Sequence, residues 1–258
     1  MNEVLETIHA RRSLRAYASD ALSELEKTAI LDATLRSPTA GNLMLYTIIE
    51  VNDQALKDRL AVTCDNQPFI ARAPWVLLFL ADYQRWVDIF EHHGAEQHAR
   101  ASGIPTRQPG VGDLMLGICD ALIAAQTAVL AAQSLGIGSC YIGDILENYE
   151  VHREMFALPR YTFPITMLCF GYPTQSQPTS KPTRRYAREF IVHNNRYQQL
   201  SYDQLDSMLA EEHRANLENG WYPPGIENVG QYLYMRKQIR PFSIEMQRSV
   251  AVMLENWK

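Results

Sequence analysis

The stretch from residue 74 to residue 81 limits the fold more than any other. Trp75, Val76, Leu77, Leu78, Phe79 and Leu80 follow one another with no polar interruption. A strand with one wet face alternates apolar and polar side chains. A continuous apolar run of this length fits a central strand buried on both faces. Residues 164–172, with Ile165, Met167, Leu168 and Phe170, read as a second buried strand. Residues 46–51, rich in Ile, Thr and Val, are strand-like as well. The chain has 258 residues, 47% of them hydrophobic, which suffices for a sizeable core in one large or two small domains.

Helical patterns separate the strands. Ser23 and Glu26 form a capping box that opens a helix over residues 24–36, with Leu25, Ala29, Ile30, Leu31 and Leu35 as its apolar stripe. Pro38 ends it. Asp53 caps a helix carrying Leu56 and Leu60. Residues 83–102 read as one polar helix holding His92, His93 and His98. No Cys accompanies these histidines, so a plain surface helix fits better than a metal site. The longest helix covers residues 113–135. Ile118, Leu122, Ala125, Val129 and Ala132 share one face, Asp113, Asp120, Thr127 and Ser134 another, and Gly136 is its C-cap. Residues 114–135 are the most membrane-like window. Asp120, Gln126 and Gln133 interrupt it, which suits a core helix better than a span.

Residues 149–156 form a short helix, and residues 174–183, rich in Pro, Ser, Thr and Gln, an extended connector. Beyond Asn195 come a helix over 200–219 capped by Ser201, a break at Pro223-Pro224-Gly225, and a last helix from near Ser243. The expected division is a core over 1–195 and a helical extension over 196–258.

A net charge of -5 argues against wholesale nucleic-acid binding. Cys64, Cys119, Cys140 and Cys169 form no Cys-x-x-Cys pair, and Glu3 and Glu6 spoil a signal-peptide reading of the first residues. A reducing, cytoplasmic setting is expected. There is no Ser-His-Asp order, no His-Glu-x-x-His and no Walker loop. Gly136-Ile137-Gly138 fails as a dinucleotide fingerprint, because Tyr141 stands where the third glycine belongs.

Five stretches remain that carry chemistry. Arg11-Arg12-Ser13-Leu14-Arg15 places three guanidinium forks and a hydroxyl within five residues, a set suited to phosphate oxygens; a solvated basic helix end is the plain alternative. Ser37-Pro38-Thr39-Ala40-Gly41-Asn42 permits close backbone approach and offers an amide that donates and accepts. Gln67 lies in a polar loop. Gly138-Ser139-Cys140-Tyr141-Ile142-Gly143 is a small-residue strip able to pass against a ring system. Lys181-Pro182-Thr183-Arg184 is a second basic cluster, with a solvated loop as its plain reading.

In this order and at these separations the five stretches resemble the FMN-dependent nitroreductase (flavin reductase) family, from the N-terminus to about residue 190. The chain departs from that pattern in having Met44-Leu45-Tyr46 where the family often has Gln-Pro after the Asn, and Lys-Pro-Thr-Arg for Lys-Pro-Arg. The resemblance implies an α+β three-layer sandwich, a central and mostly antiparallel sheet flanked by helices, with the helical extension packing on the partner subunit of a homodimer. It implies FMN as cofactor and NADPH or NADH as electron donor. Arg11, Arg12, Ser13, Arg15 and Arg184 would hold the phosphate; Thr39, Asn42 and Gln67 would meet the ring or ribityl chain. Tyr141, Ile142 and Gly143 would line one ring face through their backbone, and Lys181 would stabilise negative charge on the reduced ring. The implied activity passes reducing equivalents to nitroaromatics, quinones or flavins by a ping-pong mechanism, with small-molecule substrates, no nucleic acid and no membrane. A flavin-storage protein with little turnover, or a specialised relative such as a dehalogenase, is the alternative.

Overall fold

The computed structural model describes residues 2–174 and 183–257. Four strands form one sheet: β1 (Tyr46–Glu50), β2 (Trp75–Asp82), β3 (Gly138–Ile142) and β4 (Thr162–Gly171). Their order is β1-β2-β4-β3 and every pairing is antiparallel. The two apolar runs occupy the centre, and all residues of β2 and β4 are buried.

The pleat divides these runs between two cores. Trp75, Leu77 and Phe79, with Leu168 and Phe170 beside them, face the first core. Its other wall is the helix α6 (Val111–Ser134), which contributes Ala121, Ala124, Ala125 and Ala128. Val76, Leu78 and Leu80 face the second core with Met167 and Cys169. There the helix α3 (Gln54–Thr63) adds Leu60 and Ala61. Helix, sheet and helix therefore make the expected three layers.

Local signals set several elements. Asp53 Oδ1 accepts from the Ala55 and Leu56 N–H groups at the start of α3. The Ser23–Glu26 capping box opens the helix α2 (Glu24–Thr34), whose buried residues are Ile30 and Thr34; Leu25, placed on its apolar stripe by sequence, is 85% exposed. The polar stretch after β2 is two helices, α4 (Gln84–His92) and α5 (Ala95–Ala101). They break at Gly94, which takes a left-handed φ of 62° that a side chain disfavours. In α6 Ala125, Val129 and Ala132 of the expected face are buried, together with Leu114, Gly117, Ala121, Ala124 and Ala128, while Leu122 lies outside this ridge. Close approach to β2 selects small residues here: a Cβ on Gly117 would come 3.2 Å from both Ala81 Cβ and the Leu45 carbonyl.

The chain forms two compact units, residues 1–182 with 245–258, and residues 183–244. This differs from a cut at residue 195, because most of the last helix belongs to the first unit. That helix, α10 (Pro241–Trp257), ends on Trp257, which is 1% exposed. Its ring meets Tyr161 and Phe163 at centroid distances of 5.3 and 5.1 Å, and its Nε1 donates to the Gly110 carbonyl at 2.9 Å. Arg248 of the same helix holds Glu150 of α7 (Tyr149–Met155) through two bonds of 2.8 and 2.9 Å. The remaining α-helices among the described residues are α1 (Glu3–Ala10), α8 (Tyr202–Glu218) and α9 (Val229–Leu233), the last two within the second unit.

Burial decides which α10 contact matters. Trp257→Ala empties a fully buried ring site and should lower unfolding free energy by about 3–5 kcal/mol. Arg248→Ala breaks exposed pairs and should cost at most about 1 kcal/mol. Urea unfolding measures both. Equal effects would contradict the burial of the Trp257 ring.

Candidate functional site

The basic stretch does not float at the surface. Leu14 N–H donates to the Ser139 carbonyl at 2.9 Å, and Ser13 and Ser139 form a parallel bridge. Further on, Ala18 N–H donates to the Tyr172 carbonyl at 2.9 Å, and Tyr17 bridges Pro173. Segment 13–18 thus crosses from the start of β3 to the end of β4. Gly138 and Gly171, which are paired in register, make room for it. A Cβ on Gly138 would sit 2.5 Å from Leu14 Cδ2, and one on Gly171 would sit 2.5 Å from Tyr17 Cδ1. Gly138, expected to face a ring, instead receives Leu14.

Extended backbone alternates its side chains. Leu14 turns in, and Ser13 and Arg15 turn out. Burying one leucine is worth about 1.5–3 kcal/mol. Exposed like charges a few ångströms apart repel by only about 1 kcal/mol in water. The anchor therefore prevails and holds the cations in place. Arg15 lies 5.9 Å from the centroid of the Phe69 ring. The charges of Arg15 and Arg11 and the Ser13 hydroxyl all bear on the Cys140 thiol, whose pKa burial nevertheless raises. Among the described residues no carboxylate forms an ion pair with Arg11 or Arg15. Arg12 Nη1 donates to the Ala10 carbonyl at 2.6 Å.

Gln67 joins this group from the second core. It follows Asp65 and Asn66, both at left-handed φ, of 56° and 50°. Its Nε2 donates to the Cys64 carbonyl at 3.0 Å and to Asp144 Oδ2 at 2.6 Å. Asp144 comes directly after Gly143, where a Cβ would meet no atom within 4 Å. Ile142 is buried. Tyr141 Oη donates to Gln126 Oε1 of α6 at 3.2 Å, and burial pushes its pKa up to about 12 against the charge of Arg11. Arg11, Ser13, Arg15, Gln67 and the strip 139–144 therefore form one neighbourhood.

Thr39 and Asn42 belong to a second group, also hung on α6. The turn Ala40–Asn42 has left-handed φ at Gly41 and Asn42, and Met44 repeats it at 49°. A left-handed non-glycine residue costs on the order of 1–2 kcal/mol, so the surroundings must enforce it. Asp120 does so: 2% exposed, it accepts from the Ala40 N–H at 2.9 Å and the Leu45 N–H at 3.1 Å. Thr39 Oγ1 accepts from Met44 N–H, Ser37 Oγ donates to Thr127 Oγ1, and Trp86 Nε1 donates to the Leu43 carbonyl. Sequence reading gave Asp120 no role in a site. The available signal was a carboxylate in the middle of an apolar helix. That helix is long and apolar enough to cross a membrane, yet Asp120 and Asp113 are both bonded within the fold.

Lys181 lies outside the described residues. Arg184 belongs to the unit of residues 183–244, where it forms an ion pair with Glu211. His152 is fully buried, with its ring nitrogens bonded to the Ile145 carbonyl and Thr63 Oγ1, which fits a neutral structural role. Between α4, α5 and the following loop a cavity of about 600 Å³ opens, lined by Tyr83, Val87, Phe90, Glu91 and Arg107 among others.

The chain is similar to known proteins. Residues 8–172 match the Nitroreductase family. The oxygen-insensitive NADPH nitroreductase of Salmonella typhimurium is 30% identical over 249 residues, which cover 95% of this chain and 96% of that one. The FMN reductase [NAD(P)H] of Bacillus subtilis is 32% identical over 209 residues, 81% of this chain and 79% of that one. The structure of NfrA2 from B. megaterium superposes with a TM-score of 0.80 at 27% identity, covering 100% of this chain and 98% of the other.

Four substitutions at three positions test the anchors. Gly138→Ala should destabilise by about 1–3 kcal/mol through overpacking on Leu14, and adding Leu14→Ala should relieve part of that loss. Additive effects in this double-mutant cycle would refute the Leu14 slot. Asp120→Ala leaves two backbone donors without an acceptor and should cost about 2–3 kcal/mol. Asp120→Asn, which keeps one acceptor oxygen, should cost less, as read by chemical denaturation.

Proposed function

The chain belongs to the nitroreductase family, and from that premise we propose that it is an FMN-dependent oxidoreductase. It passes reducing equivalents from NADPH or NADH to nitroaromatics, quinones or flavins. The observation that carries this reading is the pinning of segment 13–18 to the sheet. It leaves Arg11 and Arg15 beside the backbone of 139–143 with no carboxylate ion pair among the described residues. Two guanidinium groups and an outward serine hydroxyl fit a phosphate, and the open space at Gly143 fits a flat ring.

When bound, FMN supplies the redox chemistry; the chain supplies binding and orientation. Arg11, Arg12, Ser13 and Arg15 hold the phosphate, with Arg184 as a further ligand carried over from the resemblance. Gln67, Thr39 and Asn42 meet the ring or ribityl chain, and Tyr141, Ile142 and Gly143 line one ring face. Lys181 would place positive charge near the pyrimidine edge. NAD(P)H and the acceptor use one stacking slot in turn, which gives parallel lines in double-reciprocal plots.

The protein acts as a homodimer in this reading. Val4, Leu5 and Ile8 of α1 are 45–65% exposed, as are Met115, Leu116, Leu122 and Ile123 of α6 at 41–54%. Apolar surface of this extent on adjoining helices suits contact with a second copy, and the helical extension would pack on that partner. All four cysteines are free thiols, which suits the cytoplasm.

The absorbance spectrum of the purified protein, with added FMN and then with NADPH under exclusion of oxygen, tests the reading. A bound flavin that bleaches is expected; a protein that takes up no FMN rejects it. Arg15→Ala should weaken FMN binding by about 1.5–3 kcal/mol, the range for a charge-assisted hydrogen bond. An unchanged dissociation constant would remove Arg15 from the phosphate site.

A further inference from the structure

Gln67 is clamped between two acceptors. Its two amide hydrogens point to the Cys64 carbonyl at 3.0 Å and to Asp144 Oδ2 at 2.6 Å. A carbonyl and a carboxylate cannot donate to an amide oxygen, so the nitrogen must face them and Oε1 must face away. Resting on the reading that Gln67 meets the flavin, we propose that Gln67 contacts the cofactor only as an acceptor, and that Glu147 is the positioning residue that keeps the Asp144 carboxylate turned toward it. The flavin group received by Gln67 is then a donor, a ring N–H or a ribityl hydroxyl, and not a ring carbonyl.

Glu147 stands at the end of the turn Asp144–Leu146, its N–H donating to the Asp144 carbonyl at 3.0 Å. It is 5% exposed, and its Oε1 is buried with no partner among the described residues. The groups around it are acids. The charges of Asp144 in its own turn, Asp65 in the turn before Gln67, and Glu245 of α10 all bear on it. Glu245 has a counter-ion in Arg248 at 2.7 Å, which also serves Glu150. His152 offers no charge, since burial lowers its pKa and both ring nitrogens are bonded. Burial first, then these carboxylates, raise Glu147 from 4.5 to about 8. Its carboxyl therefore keeps a proton at neutral pH and donates it in a hydrogen bond to the Asp144 carboxylate. Losing that proton sets two carboxylates against each other, and the one that turns away takes the Gln67 acceptor with it.

The native state holds a proton that the unfolded chain has released between pH 4.5 and about 8, so stability falls as pH rises through that window.

The test titrates FMN into wild type, Glu147→Gln and Gln67→Leu on both sides of pH 8. In wild type the dissociation constant should rise about tenfold across that pH beyond any change common to all three proteins, the loss of roughly one hydrogen bond. Both variants should lack the extra step. A step that survives in Glu147→Gln overturns the role of Glu147. Wild type that binds no FMN at any pH fails the cofactor reading instead. Infrared titration of the protein without FMN gives an independent readout: a protonated carboxyl band that disappears near pH 8 in wild type and in Gln67→Leu is expected. Its absence from wild type overturns the proposal even if Glu147→Gln does not fold. For the acceptor claim, FMN methylated at the ring N–H and FMN lacking ribityl hydroxyls are compared in wild type. One of them should bind about tenfold more weakly; equal binding of both and of FMN overturns it.

Discussion

Everything in the first unit answers to two strands that have no wet face. β2 and β4 are buried along their whole length, so each side of the sheet must be covered. One side takes α6, a helix whose contact ridge is mostly alanine and glycine. Small residues let the helix axis come close, and close approach is what lets a helix side chain such as Asp120 reach backbone groups of the loop before β1. The other side takes α3 and the turn that ends in Gln67.

The site groups are positioned from these layers rather than by their own loops. Asp120, Gln126 and Thr127 of α6 hold, in turn, the Ala40 and Leu45 amides, the Tyr141 hydroxyl and the Ser37 hydroxyl. A rigid helix spanning both groups keeps their spacing constant, and a flat cofactor needs that constancy. The arginine stretch is held from the sheet, where a register pair of glycines leaves the volume that Leu14 and Tyr17 fill. Polar function and apolar anchoring alternate along one short extended segment. The residues that would touch a ligand are exposed because their neighbours are buried.

Much of this was legible in the chain. Continuous apolar runs announced the central strands, Ser23, Asp53 and Ser201 announced their helices, and the ordered motifs pointed to the family. Other parts were not legible for physical reasons. The helix expected over residues 83–102 breaks at Gly94, whose φ no periodicity reveals. The expected face of α6 holds at Ala125, Val129 and Ala132, but packing on a sheet also selects the small Gly117, Ala121, Ala124 and Ala128, and Leu122 lies outside the buried ridge. A linear boundary at residue 195 could not anticipate that Trp257 returns to the first core.

What the sequence determined alone was local: period, caps, breaks, and which residue types were available for binding phosphate and ring. These depend on neighbours a few positions away. Tertiary structure decided the partners of each polar group. Arg12 bonds the Ala10 carbonyl while Arg15 lies over Phe69, although both belong to one basic motif. Asp120 serves a loop 75 and 80 residues away in the chain, and Gln67 meets Asp144 across 77. Hydrogen bonds act over about 3 Å whatever the separation along the chain, so only the packed layers decide which groups come within reach.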